Sequence, residues 1–164
     1  MAQDDHLTEA ANMALLERLR DSFRITPVHW RRITDIVLLH LALDSLLFAL
    51  LAANMLKAPK PGEGMGAVDR LTEYLSKMSF ETRLNLAKAA GWLPVDGQLI
   101  AQLNAVNKVR VKLVHYQNKE LSLHAPEIAS AKQFNGLMKR GLLAHDALVK
   151  ILMPRWPLDP RPTR

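Results

Sequence analysis

Apolar positions recur every three or four residues along almost the whole chain, and no strand-like alternation interrupts them, so the pattern predicts helices throughout. Leu15, Leu16, Leu19 and Phe23 carry a first helix over Leu7–Phe23. Pro27 interrupts it, because proline cannot continue a helix and biases Thr26 out of one. A second helix is expected from Val28 to Leu56. Two prolines and two glycines between Lys57 and Gly64 then form a loop. A third helix is expected over Ala67–Met78. Ser79 is placed to cap a fourth, Phe80–Ala90, with Glu81 in its first turn and Gly91 just past its end. Trp92–Asp96 reads as a connector with Asp96 as the N-cap of a fifth helix running to His115. Tyr116–Ala125 reads as a loop, and Pro126 opens a sixth helix ending near Leu152.

The resulting fold class is all-α, a helical bundle. It divides into an N-terminal helical extension over 1–27, a bundle over 28–153, and a tail over 154–164. The tail holds four prolines and three arginines, and its composition predicts an extended or disordered segment. Trp156 in that tail reads either as part of a docking peptide or as loose tail.

Ile36–Leu56 is long enough to cross a bilayer, but its one formal charge, Asp44, falls near the middle, where a carboxylate is costly in lipid. A core helix flanked by its own bundle and a partner subunit accounts for the same apolarity, and that reading predicts a homodimer with no membrane. His40 and Asp44 stand four apart on one face of this helix. They form either a polar pair within the core or a polar element on the floor of a site. In both cases a buried Asp44 needs a partner.

The composition is globular, 49% apolar and 23% charged, in 164 residues, which suits one domain. The absence of cysteine excludes disulfides and thiolate metal sites and fits a reducing, cytoplasmic setting. Met1–Asn12 carries Asp4, Asp5 and Glu9 without a basic or apolar run, unlike a secretory signal. Charge is divided unevenly. Residues 1–96 hold 11 basic and 12 acidic side chains, whereas 97–164 hold 11 basic and 4 acidic. A basic half is a footprint for a polyanion, or else a solvated helix face.

The fifth helix carries the chemistry. Leu99, Leu103, Val106, Arg110 and Leu113 share one stripe, so Arg110 falls among apolar neighbours and must snorkel, pair with an acid, or meet an anion. His115 follows five positions later, turned by about 140° in an unbroken helix. The two serve one site only if the helix ends or bends near His115, or if a second chain closes the site. Together they would supply a fixed bidentate donor and a proton carrier near neutral pH. The alternative is an ion-paired arginine and a histidine at a helix C-terminus, where the dipole favours its charge.

Two blocks in the chain resemble the HEPN superfamily, in particular its short stand-alone members and its mannitol-operon-repressor-like branch. Met78-Ser-Phe-Glu-Thr-Arg-Leu-Asn-Leu-Ala-Lys-Ala-Ala-Gly91 is similar to the helix that precedes the motif helix there. Leu103-Asn-Ala-Val-Asn-Lys-Val-Arg110-Val-Lys-Leu-Val-His115 is similar to the motif helix itself. The resemblance spans roughly residues 30–150. It implies a four- to six-helix bundle that dimerises, with paired R-x(4–6)-H motifs across a groove. It further implies a metal-independent endoribonuclease needing no cofactor, of the kind found in toxin–antitoxin or phage-defence systems, with RNA and an antitoxin or other protein as partners. By position, Arg110 would hold the scissile phosphate and His115 would move the proton. Asp44, His40 and Asn107 would be supporting polar groups, and Lys108, Lys112 and Lys119 would lie along the RNA backbone. One departure bears on catalysis rather than on fold. Active members commonly carry a polar residue after the motif arginine, whereas this chain has Val111. A non-catalytic RNA-binding or regulatory protein is therefore the second reading, and a structural subunit of a larger complex the third.

Other classes find little support. His6, His29, His124 and His145 lack paired metal-ligand spacing. Gly62, Gly64 and Gly66 lack the Lys-Ser/Thr of a phosphate loop. The basic segment from Lys132 to Lys150 has no helix-turn-helix signature.

Overall fold

A computed structural model describes residues 13–14, 17, 26–55, 66–94, 97–115 and 124–155. Most of the expected first helix, Lys119 and nearly all of the Pro/Arg tail, Trp156 included, lie outside the described residues. Among the described residues the chain is all helical. Its elements are α1 (Pro27–Met55), α2 (Gly66–Ser76), α3 (Phe80–Ala89), α4 (Gln98–Val114), α5 (Pro126–Ala129) and α6 (Ala131–Leu152), followed by a 3-10 turn at Met153–Arg155.

Local chemistry sets most of the ends. Thr26 opens α1, with its Oγ1 accepting from the His29 amide at 3.3 Å and Pro27 in the first helical position, where it needs no donor. Ser79 caps α3, its Oγ accepting from the Thr82 amide at 3.2 Å. Gly91, at φ +70°, closes the same helix: its amide donates to Lys88 O, and the Trp92 amide donates to Ala87 O, both at 3.0 Å.

Several ends shift by one residue from the sequence expectation, and three differences have a structural cause. α2 stops at Ser76, two residues early, and the chain turns there with the Met78 amide on Leu75 O. The residue at the α4 N-cap is Gly97, at φ +70° and without a side-chain cap, while Asp96, expected there, lies outside the described residues. The expected sixth helix is two helices, broken where Ser130 is extended (φ −87°, ψ 123°) and accepts from the Gln133 amide. The break has a tertiary cause. Arg32 of α1 donates from Nη1 to Ile128 O at 2.7 Å and Ala129 O at 2.9 Å, taking carbonyls an unbroken helix would have used itself. Its guanidinium also lies 5.5 Å over the Phe134 ring.

The core is one cluster drawn from α1, α3, α4 and α6, joined by Leu75 of α2, Leu93 and Ala125 of the connections and Ile128 of α5. α1 packs most extensively against α6, and α3 and α4 flank it. Gly141 permits the close crossing of α6, since a Cβ there would collide with Leu39 Cδ2 and press Val106 Cγ2 at 3.1 Å. α1 is long and apolar enough to cross a membrane by length and composition. It buries one face, Ile33 through Leu51, inside the bundle, while Leu38 is 56% exposed on the other side.

Candidate anion-binding site

α1, α3, α4 and the α2–α3 turn meet around a pocket of about 270 Å³, lined by His40, Asp44, Ser76, Met78, Ser79, Phe80, Arg83 and Arg110. Two arginines therefore reach one cavity from two helices. The sequence expectation had only Arg110.

Arg83 is the partner that a buried Asp44 requires. Its Nη1 donates to Asp44 Oδ1 in an ion pair, and its Nε donates to Leu75 O at 3.2 Å. Both side chains are almost wholly buried. The guanidinium also lies 5.7 Å over the Phe48 ring. A sequence signal for it existed. Phe80, Arg83, Leu84 and Ala87 are the buried residues of α3 and follow helical spacing, so Arg83 occupies an apolar stripe as Arg110 does.

His40 and Asp44 are not bonded to each other. Arg83 takes the carboxylate, and His40 Nε2 instead lies 3.1 Å from Asn107 Oδ1 on α4. An Nε2–H that donates to the carboxamide oxygen satisfies this contact. The imidazole also packs on Phe80, with ring centroids 4.8 Å apart. Burial first, then the Arg110 charge, lower the His40 pKa to about 4, against smaller raising effects of Asp44 and Asn107. The ring is thus neutral at physiological pH.

Arg110 is different. It is half-buried on the α4 stripe, and its Nε is buried with no hydrogen-bond partner. Among the described residues no carboxylate forms an ion pair with it. Burial lowers its pKa, an effect that nearby Asp44 partly opposes. With Asp44 paired to Arg83 and His40 neutral, the side chains lining the pocket carry a net positive charge, that of Arg110. Such a cavity is suited to an oxyanion.

α4 does end beside His115, which is the C-cap residue at φ −93°, ψ 11°. The side chain is nevertheless exposed and does not line the pocket, so one copy of the chain brings Arg110 together with His40, Asp44 and Arg83 but not with His115. Val111, 39% exposed, shares the outer side of the helix. Lys108 is exposed there as well. Lys112 is engaged elsewhere: its Nζ donates to Glu127 Oε1 at 2.8 Å, which joins α4 to α5 and leaves Lys112 a poorer phosphate contact than expected. Among the described residues no three His, Asp or Glu side chains gather closely enough to hold a metal ion. No protein-family model, curated protein or solved structure matches this chain.

Proposed function

We propose that this chain is a HEPN-like, metal-independent endoribonuclease that acts as a homodimer. The observation that carries the reading is the half-buried Arg110 guanidinium, with its Nε unpartnered, facing a pocket whose remaining charges, Asp44 and Arg83, are paired with each other. A phosphodiester supplies the acceptors this donor lacks. In the reaction the ribose 2′-oxygen attacks the adjacent phosphorus and the 5′-oxygen departs, leaving a cyclic phosphate and a 5′-hydroxyl. The nucleophile arrives with the RNA, so positioning and charge stabilisation account for most of the rate. Arg110 would neutralise the charge on the phosphorane-like transition state. His115, exposed at the end of the same helix, would enter the groove from the second copy and take or give the proton.

A specific observation favours the second reading, a non-catalytic RNA-binding or regulatory protein. Val111 and His115 both face away from the Arg110 pocket, and Val111 offers no polar group to orient either.

One assay separates the two. The purified chain is incubated with RNA in EDTA beside Arg110→Gln and His115→Ala. Cleavage that resists EDTA, leaves 5′-hydroxyl ends and falls at least about 100-fold in both variants supports the nuclease. Cleavage unchanged in both variants refutes it. Absent cleavage, with salt-sensitive RNA binding that Arg110→Gln weakens, selects the second reading.

A further inference from the structure

The Arg110 pocket contains a second titratable group, a buried histidine. His40 is 6% exposed, lines the same cavity, and is held by a side chain of the Arg110 helix, Asn107. The charged groups facing it are Arg110 of α4, Asp44 of its own helix and Arg83 of α3; the end of α2 and the turn after it contribute the neutral Ser76, Met78 and Ser79. Burial does most to disfavour charge on the ring; among the charged groups Arg110 opposes it most, Asp44 favours it less strongly, and Arg83 adds the smallest effect.

We propose that this pocket is a proton-coupled oxyanion site, in which one phosphodiester- or sulfate-sized anion seats against Arg110 and His40 takes up a proton as it enters. The inference rests on Arg110 as the anion ligand, as does the function proposed above, but it requires neither His115 nor a second copy. The physical cause is reciprocal. Arg110 disfavours a charged His40, and an anion cancels that field and adds an attraction of its own. Burial and Arg110 hold the imidazole down to about 4, so a neighbouring anion has room to move its midpoint toward neutrality. His40 is therefore a positioning residue: through Asn107 it ties α1 to the motif helix, and its charge tunes how firmly Arg110 holds its ligand.

The sign follows from linkage. If binding takes up a proton, affinity rises as pH falls through the bound-state pKa, by at most about tenfold per pH unit for one coupled proton. The coupling fades above that pKa and again below the free-state value near 4.

The test is titration calorimetry of the full chain with sodium sulfate at constant ionic strength, at pH 7.5 and 6, in two buffers of different ionisation enthalpy. Sulfate stays a dianion over this range, so any proton taken up belongs to the protein. The expected result is tighter binding at pH 6, with a measurable fraction of a proton absorbed. His40→Gln, which keeps an amide donor for Asn107, should bind sulfate with no proton uptake and a flat pH profile. His115→Ala should retain both binding and uptake while losing RNA cleavage. Should any variant fail to fold, the His40 ring resonance of the wild-type chain gives the same answer by moving to a higher titration midpoint with sulfate. A parallel titration with a deoxydinucleotide, which carries one uncleavable phosphodiester, separates the sources. If sulfate and the diester both show uptake, backbone phosphate is the ligand. If only sulfate does, the site stands and the nuclease reading loses its substrate contact. Absent sulfate binding, uptake that survives His40→Gln, or binding with an unmoved His40 midpoint overturns the proposal, whatever the RNA assay shows.

Discussion

Arg83 and Arg110 lie in two helices that flank α1, each on an apolar stripe and each reaching the same pocket, yet they do opposite things. Arg83 is satisfied within the fold: it has Asp44, a carbonyl of α2 and the face of Phe48. Arg110 has a buried Nε without an acceptor. A guanidinium that finds its partners inside the chain is part of the scaffold, and one that finds none keeps its capacity for something that arrives later. The difference comes from supply. One buried carboxylate faces the pocket, and α3 holds it.

The sharpest way to break this comparison is to release Asp44. Asp44→Asn should leave Arg83 charged and buried without its counter-ion, at a cost of about 3–5 kcal/mol in urea unfolding. Replacing both partners with apolar residues, Asp44→Leu with Arg83→Met, should recover most of that loss. Should the single and double variants prove equally unstable, the pair is not the unit that matters. Arg110→Met should behave oppositely, leaving stability unchanged or raising it by up to about 1 kcal/mol, since it removes an unsatisfied donor. A large loss there would mean that Arg110 is structural after all.

Acid comes next in size. The His40 pKa is about 4 in the folded chain against an ordinary 6.5. Between those values the unfolded chain binds more protons, so stability rises with pH across the window and falls as pH drops through it. By pH 5 the wild-type chain should have lost about 2 kcal/mol more than His40→Gln, judged from urea midpoints at pH 7.5 and 5. Sulfate should offset part of this loss in the wild type if the pocket takes an anion. Parallel pH profiles for the two proteins would place the acid sensitivity elsewhere.

These contrasts also mark what the chain discloses before folding. Pro27, Ser79 and Gly91 act within a few residues of themselves, and all three mark helix ends as their local chemistry dictates. The need for an Asp44 partner was legible from the cost of a lone buried charge, but Arg83 lies 39 residues away and nothing local links the two. The stripe that singles out Arg110 singles out Arg83 as well once α3 is treated in the same way. The break at Ser130 has one local sign, the serine-x-x-glutamine pattern of Ser130 and Gln133, which the apolar pattern overrides. The apolar period continues across it without glycine or proline, and the interruption is stabilised from α1 by Arg32. Likewise His40 prefers Asn107 to the carboxylate one turn along its own helix, a choice made by packing rather than by spacing.

The smallest effects test whether the same contrast holds at the surface. Lys108 and Lys112 lie one turn apart on α4, and both were expected to follow an RNA backbone. Lys112 is bonded to Glu127, with side chains 27% and 23% exposed, whereas Lys108 stands in solvent. Glu127 feels both lysines, Lys112 more strongly than Lys108. Lys112→Met should therefore cost stability modestly, within about 1 kcal/mol, because a partly exposed pair is screened by water. Lys108→Met should cost almost none. In RNA binding the ranking should reverse. A lysine already neutralised by a carboxylate releases little when phosphate approaches, so Lys108→Met should lower the salt slope by about one and Lys112→Met by clearly less. Filter-binding titrations at several salt concentrations would read both slopes. Equal reductions would show that Glu127 yields Lys112 to the nucleic acid, and that a partner inside the fold does not by itself remove a cation from use.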